Sequence, residues 1–220
     1  SQINKGRNIM STKKRVYIPK NKTNGQIKGK RKIWVENVKF LTLEEYDQLR
    51  ETIKLHSRPE LVNRNLLLIA IALNNGLRAS DVVTLRVGHV LNKTKTRVIE
   101  QKTGKAKTLF WNNCLAEIID YLNDLDYKDE NDYLFPGKQE GHFSFYFFYE
   151  MLQRMARKTE NNKIVAKIGT HSFRKTFGRQ LYKKGVNVEI ISQLFNHSSE
   201  RNPRHYLGIE QEDLDKVVQN

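Results

Sequence analysis

The chain has 220 residues, an apolar fraction of 38% and ten Phe and nine Tyr residues, which allows a buried core and argues against a disordered chain. Its longest apolar run, Leu66 to Leu73, is too short to span a membrane, and its single cysteine excludes an internal disulfide framework or a cysteine-based zinc cluster. No secretory signal is evident, so we predict a soluble, cytoplasmic protein whose net charge of +15 favours polyanionic partners.

Residues 1–38 are predicted to form a flexible basic arm or linker. They contain eleven Lys or Arg residues and one acid, Glu36, and they lack helical or strand periodicity. Two interpretations stay open, a solvated tail that aids solubility and an arm that follows nucleic-acid phosphates. We favour the second. Its candidate DNA-binding residues are Lys13, Lys14, Arg15, Lys28, Lys30, Arg31 and Lys32.

Residues 39–220 are predicted to form one folded domain, which is mainly α with a small antiparallel β-sheet (α+β). A capping box at Thr42 to Glu45 starts the first helix, and Asn75-Gly76 ends the second, whose apolar run indicates burial on most sides. Short strands at about residues 97–101 and 108–111 flank a glycine-containing hairpin turn. Helices are predicted at about residues 42–55, 60–74, 80–85, 113–124, 144–158, 172–184, 188–195 and 210–218.

Each polar candidate for a functional role has an ordinary structural explanation when it is considered alone. Arg78 follows the buried helix and would usually cap it or pair with an acid, and Asp81 lies one helical turn further on, where it can fix the guanidinium. His171 and Arg174 are three residues apart on one helix, so both can point at one ligand. The remaining candidates also have ordinary explanations. Lys102, Lys105 and His197 suit turns, and Tyr206 suits the core or the surface.

The order and spacing of these residues favour a functional interpretation. The chain contains Gly76-Leu-Arg-Ala-Ser-Asp81, then Lys102-Thr-Gly-Lys105, then His171-Ser-Phe-Arg174, with His197 and Tyr206 beyond them. This pattern, spread over about residues 40–220, resembles the catalytic domain of the tyrosine recombinases, the family of phage integrases and chromosome-dimer resolvases. The resemblance implies the fold of that domain and a role in DNA recombination and integration, including that of mobile genetic elements, in a bacterial or phage-type host cell.

The resemblance also implies a role for each matching residue. Arg78 and Arg174 become the catalytic arginines, and Asp81 becomes a supporting acid. Lys102 becomes the hairpin lysine, with Lys105 as a second choice and a DNA contact. The remaining catalytic positions are His171, His197 and the nucleophile Tyr206.

These residue types suit the chemistry of a phosphodiester. Two guanidinium groups can stabilise the charge that concentrates on the non-bridging oxygens in the transition state. Tyr206 would attack to give a 3′-phosphotyrosine, and Lys102 would protonate the departing 5′-oxygen. This scheme requires no metal or nucleotide cofactor, and its partner is double-stranded DNA.

The sequence departs from the family pattern at two places. Asn196 stands before His197 where the family very often has Gly, although Asn tolerates the left-handed conformation. Only the basic segment precedes the catalytic domain, so the chain is either a catalytic fragment or a minimal recombinase whose arm replaces the usual DNA-clamping domain. An apolar stripe in residues 208–220 packs on its own domain or, as the resemblance suggests, docks on a neighbouring protomer of a tetramer assembled on DNA.

Two other functions remain as alternatives to a strand-cleaving recombinase. The first is a DNA-binding regulator that has the same fold and does not cleave, although such a protein has no need of a placed tyrosine. The second is a relaxing topoisomerase with similar site chemistry, for which 220 residues provide little length to clamp DNA.

Overall fold

The computed structural model describes residues 40–138, 140–169 and 171–195. The predicted basic arm, the final predicted helix, His197 and Tyr206 lie outside these residues. Within them, no helix is long and apolar enough to cross a membrane.

The described residues form eight α-helices and one two-stranded antiparallel sheet, which confirms the predicted fold class. The helices are α1 (Leu43–His56), α2 (Val62–Asn75), α3 (Ala79–Val83), α4 (Leu115–Asp124), α5 (Phe145–Lys158), α6 (Asn162–Lys167), α7 (Ser172–Lys183) and α8 (Val188–Leu194). The strands are β1 (Lys95–Ile99) and β2 (Ala106–Phe110), and 3₁₀ turns cover Pro59–Leu61, Val87–His89 and Asn112–Cys114.

Helix α2 lies at the centre of the core. Its residues from Leu66 to Leu73 are all buried, and it packs against α1, α3, α4 and α7. A helix that is apolar on every side reaches low free energy only when neighbours cover it all round. The predicted capping box starts α1 as expected, because Thr42 Oγ1 accepts from the Glu45 amide and Glu45 Oε2 accepts from the Thr42 amide.

The hairpin differs from its prediction in one respect that affects the site. Its strands pair from Lys95 with Phe110 to Ile99 with Ala106, so both begin two residues earlier than predicted. The turn therefore covers residues 101–105, with Gly104 in the left-handed region at φ +64°. Because side chains alternate along a strand, Lys107 lies on the inner face of β2 together with the buried Leu109.

Helix α6 was not predicted from the sequence. It spans only six residues and buries one apolar side chain strongly, that of Ile164, so it has little hydrophobic period. Its start is fixed locally, because the side chain of Asn161 accepts a hydrogen bond from the Lys163 amide.

Candidate active site

Gly76 creates the turn that brings Arg78 into the interior. It ends α2 with φ +55°, a left-handed conformation that favours glycine, and an added Cβ would lie 2.4 Å from Phe177 Cδ1. Two residues later, Arg78 is the N-cap of α3, and its carbonyl accepts from the amides of Asp81 and Val82. The Arg78 side chain is held in the core at 7% exposure.

Helix α7 carries the second arginine and the histidine. Phe173 anchors this helix by packing edge-on against Tyr46 of α1, with 6.2 Å between ring centroids. The helix begins immediately after His171, and Arg174 projects from its first turn into the interior with only 1% exposure. The predicted pairing of these two residues on one helix end is therefore confirmed, with His171 at the N-cap position.

Glu100 joins the two arginines, although they are far apart in the sequence. Its carboxylate is fully buried, and Oε1 lies 3.0 Å from Arg78 Nη1 and 3.4 Å from Arg174 Nη1. Asp81 is the predicted partner of Arg78, but its Oδ2 is 3.9 Å from the same nitrogen. Glu100 is thus the closer acid, and the two guanidinium groups meet around its carboxylate.

Arg174 is also anchored by main-chain carbonyls. Its Nη1 donates to the carbonyl oxygen of Gly76 at 2.7 Å, and its Nη2 donates to that of Phe195. The guanidinium lies over the Phe195 ring, 4.4 Å from its centroid, which is within cation–π range. This guanidinium is therefore held from the end of α2, from the hairpin and from the end of α8.

Lys107 adds a third cation to this cluster. Its Nζ lies 3.5 Å from the Gly76 carbonyl oxygen, which also accepts from Arg174, and 5.8 Å from the centroid of the Phe195 ring. Burial and, secondly, the positive charge of Arg174 lower the pKa of Lys107 to about 8. Three cations thus surround two carboxylates, an arrangement that is suited to receiving a further anion.

His171 is neutral at physiological pH in this environment. Burial is the main cause that lowers its pKa to about 4, and the charges of Arg174, Arg78 and Lys102 lower it further. Its Nδ1 is buried and has no hydrogen-bond partner within the described part of the chain. A neutral imidazole donates one N–H and accepts a hydrogen bond at its other nitrogen, and the neighbouring cations oppose its protonation.

Asp81 connects the first arginine to the hairpin. Its Oδ1 accepts from the Gln101 amide at 2.9 Å, while its other oxygen faces Arg78. Burial raises the pKa of Asp81 and the charge of Glu100 adds to the effect, whereas the Gln101 amide and Arg78 lower it. Over residues 40–138, 140–169 and 171–195, we find no group of three or more His, Cys, Asp or Glu side chains that could hold a metal ion.

The two predicted lysines lie on the turn beside this cluster and not inside it. Lys102 and Lys105 are both exposed to solvent. Lys102 is nevertheless close enough for its charge to lower the pKa of His171. The turn therefore presents its lysines at the edge of the cluster.

The structure brings Arg78, Asp81, His171 and Arg174 into one cluster together with Glu100 and Lys107, which sequence reasoning missed. Both missed residues occupy inward positions of the hairpin, two residues from the apolar Val98 and Leu109 respectively. Strict alternation from those apolar neighbours is the pattern that would have found them. The predicted strand limits concealed it, because they placed Lys107 in the turn.

Comparisons with known proteins match this arrangement to a family. Residues 39–212 match the model of the phage integrase family. The probable integrase/recombinase YoeC of Bacillus subtilis is 32% identical over 151 residues, which cover 68% of this chain and 80% of that protein. Tyrosine recombinase XerA of Pyrococcus furiosus is 26% identical over 82% of this chain and 61% of its own length. A probable integrase/recombinase of Acholeplasma phage L2 is 28% identical over 59% of this chain and 44% of its own length. The chain spans about half the length of the last two relatives.

Solved structures show the same fold at lower identity. The crystal structure of XerA recombinase matches with a TM-score of 0.65 at 19% identity over 82% of this chain and 64% of that one. The structure of XerH recombinase bound to a palindromic difH substrate matches with a TM-score of 0.64 at 21% identity, and the match covers 84% of this chain and 53% of that one. The catalytic domain of bacteriophage HP1 integrase matches with a TM-score of 0.53 at 21% identity, and the match covers 83% of this chain and 94% of that one. The suspected resemblance is confirmed: this chain belongs to the phage integrase family and folds as a tyrosine recombinase catalytic domain.

Proposed function

We propose that the protein is a site-specific DNA recombinase or integrase that cleaves and rejoins DNA strands through a phosphotyrosine intermediate. The observation that carries this proposal is the meeting of Arg78 and Arg174 at one buried carboxylate, beside His171 and Lys107. A protein that only binds DNA needs cations on its surface. Buried guanidinium groups held from several elements suit the stabilisation of a phosphorane-like transition state.

The arginines are assigned to the non-bridging oxygens of the scissile phosphate. A guanidinium offers parallel N–H donors that match two oxygens of a phosphate, and its charge opposes the repulsion between that phosphate and an incoming nucleophile. Burial strengthens these interactions because little water remains to screen them. The excess of cations over carboxylates in the cluster supports this assignment.

Tyr206 is assigned as the nucleophile. Its phenolic oxygen attacks phosphorus, the bond from phosphorus to the 5′-oxygen breaks, and the 3′-phosphate stays on the tyrosine. His171 accepts the phenolic proton once the negative charge of the bound phosphate offsets the neighbouring cations that lower its pKa. Lys102 gives a proton to the departing 5′-oxygen, and attack by a 5′-hydroxyl on the phosphotyrosine then runs these transfers in reverse.

His197 is assigned as a further donor to the phosphate. It follows Phe195 by two residues in the sequence. The carbonyl of Phe195 accepts a hydrogen bond from Arg174, and this contact two residues before His197 supports the assignment.

The proposed partners are double-stranded DNA and further copies of the chain. The basic residues of the segment 1–38 follow DNA phosphates, a contribution that falls with salt concentration. Strand exchange between two duplexes needs four active sites, so we propose a tetramer that assembles on DNA. The related XerH structure contains the recombinase with its difH substrate.

A covalent trapping experiment tests this function. The 220-residue chain is incubated with a pool of nicked duplexes that have a randomised centre, so that the short cleaved fragment diffuses away and religation is prevented. Denaturing electrophoresis then separates protein joined to DNA, and sequencing of the captured strands identifies the site. We expect an adduct with the unaltered chain and none with Tyr206→Phe, which lacks the nucleophilic oxygen.

The alternatives give different results in the same experiment. DNA binding without an adduct on any duplex of the pool would identify a regulator that does not cleave. Adducts without sequence preference, together with relaxation of supercoiled DNA, would identify a topoisomerase. Either result would overturn the proposed function.

A further inference from the structure

Glu100 is a fully buried carboxylate that the family pattern does not include in its catalytic set. It follows the last residue of β1 and lies on the inner face of the hairpin, with an exposure of 0%. Burial of a carboxylate is unfavourable unless nearby cations and hydrogen-bond donors compensate for the lost water. The identity of those compensating groups therefore indicates what the residue does.

One carboxylate oxygen of Glu100 contacts both arginines. Oε1 lies 3.0 Å from Nη1 of Arg78 and 3.4 Å from Nη1 of Arg174, and these arginines come from the starts of α3 and α7. Two guanidinium groups that contact the same buried oxygen are close enough to repel each other. A negative charge between them holds them together, so the spacing of the arginines depends on Glu100.

The other carboxylate oxygen contacts the turn that carries the lysines. Oε2 of Glu100 accepts from Thr103 Oγ1 at 3.1 Å. The main chain of the same residue closes the turn, because its amide donates to the Lys105 carbonyl at 3.0 Å and its carbonyl accepts from the Gly104 amide at 2.9 Å. Glu100 thus connects the arginine pair with the turn on which Lys102 lies.

Asp81 provides a comparison for this arrangement. It faces Arg78 at 3.9 Å and accepts from the Gln101 amide, so it also ties an arginine to the hairpin. Glu100 contacts both arginines at shorter distances and reaches the middle of the turn. Its carboxylate is therefore the point at which α3, α7 and the hairpin are joined.

We propose that Glu100 is a positioning residue that fixes the distance between Arg78 and Arg174 and orients the lysine-bearing turn toward the same phosphate. This inference rests on the proposed function, since it assigns a role in the cleavage step. Glu100 itself does not touch the reacting atoms in this scheme. It acts through the two guanidinium groups and the turn.

The test compares single-turnover adduct formation for the full chain and four variants on the captured duplex. Glu100→Gln keeps the shape and removes the charge, whereas Glu100→Asp keeps the charge and shortens the reach. Thr103→Val keeps the Glu100 carboxylate and removes the hydroxyl that donates to its Oε2 and accepts from the Lys105 amide. The matched control is Glu117→Gln, which removes a different carboxylate paired with an arginine, Arg50, at 2.6 Å and outside the cluster.

We expect Glu100→Gln and Glu100→Asp each to slow adduct formation by about 10²-fold, which is comparable with losing one well-placed donor. Thr103→Val should slow it by about 10-fold, and Glu117→Gln should leave it unchanged. DNA affinity should change by less than about threefold in all four, because each substitution removes a hydrogen bond or ion pair inside the protein and leaves the surface cations in place. A rate for Glu100→Asp equal to that of the unaltered chain would mean that charge alone matters and would overturn the positioning role.

The pH profile separates positioning from general loss of structure. The charge of Glu100 opposes the lowering of the pKa of Lys107, so Glu100→Gln should move the alkaline decline in the rate of adduct formation to lower pH, whereas partial unfolding would not. A wild-type cleavage rate in Glu100→Gln, measured below its melting temperature, would overturn this inference alone. No adduct from the unaltered chain would overturn the proposed function as well.

Discussion

The arginine cluster and the hairpin turn are neighbours with opposite environments. Arg78 and Arg174 have exposures of 7% and 1% and are held by Glu100 and by main-chain carbonyls. Lys102 and Lys105 extend into solvent from a turn closed by local hydrogen bonds. A buried cation is oriented before the substrate arrives, whereas an exposed lysine gains its orientation only from the bound DNA. Under the proposed function, the two regions therefore contribute to catalysis in different ways.

The largest effect should follow removal of a buried arginine. Arg174→Ala should reduce adduct formation by about 10³-fold or more, since one lost donor already costs about 10²–10³. Arg174→Lys should recover little, because an ammonium group lacks the planar fork that spans the Gly76 and Phe195 carbonyls. Filter binding on the same duplex should show nearly unchanged affinity. A complete loss of binding would contradict the expectation that the buried arginines serve cleavage and that other cations hold the DNA.

Removal of the turn lysine should give a smaller effect of a different kind. Lys102→Ala should slow cleavage by about 10²-fold, the lower end for general acid catalysis, because water can replace an exposed donor. A duplex with sulfur in place of the bridging 5′-oxygen should restore the rate, since a thiolate leaves without a proton. Lys105→Ala, on the same turn, should gain nothing from the sulfur. Equal rescue of both variants would assign the proton to neither lysine.

A pair of glycine substitutions compares the stability of the two regions. Gly76→Ala should lower the free energy of unfolding by about 2–4 kcal/mol. The new side chain would hold a left-handed conformation that strains the backbone, and its Cβ would lie too close to Phe177. Gly104→Ala has a similar φ of +64° but no heavy atom within 4 Å of the added Cβ, so it should cost only about 1–2 kcal/mol. Urea denaturation midpoints measure both, and equal losses would show that packing at Gly76 contributes nothing.

The smallest effect is a pH dependence of stability at Lys107. Its pKa is lowered from 10.5 to about 8 in the folded protein, so between these values the unfolded chain binds a proton that the folded chain has released. Stability from this residue therefore rises as the pH increases from 8 to 10.5. Lys107→Met should melt a few degrees higher than the unaltered chain at pH 7, and the difference should disappear near pH 10.5. A constant difference across the range would contradict burial as the cause.

Much of the fold followed from sequence periodicity. The apolar run of α2, the capping box of α1 and the Gly76 stop are local features, and each is present as predicted. Helix α6 and the exact strand limits were not predicted, because six residues with one buried side chain carry little periodicity, and because pairing between strands sets their ends. Arg97 and Thr108, which were predicted to begin their strands, lie at the strand centres because both strands begin two residues earlier.

The site was only partly predictable for a related reason. Arg78, His171 and Arg174 lie in short local motifs, and the family pattern identifies them. Glu100 and Lys107 join the cluster through long-range contacts, which depend on how the hairpin docks against α2 and α7. A charged residue in a strand gives no sign by itself of which face it occupies. Only its spacing from a buried neighbour does so.

The carbonyls of Gly76 and Phe195 give Arg174 a kind of support that side-chain substitution cannot delete. Every amino acid placed at residue 195 would still present a carbonyl, so this hydrogen bond survives sequence drift and fails only when the backbone moves. A shift of residue 195 thus alters the hold on the guanidinium directly. The arginine is consequently sensitive to the path taken by the chain just before it reaches His197 and Tyr206.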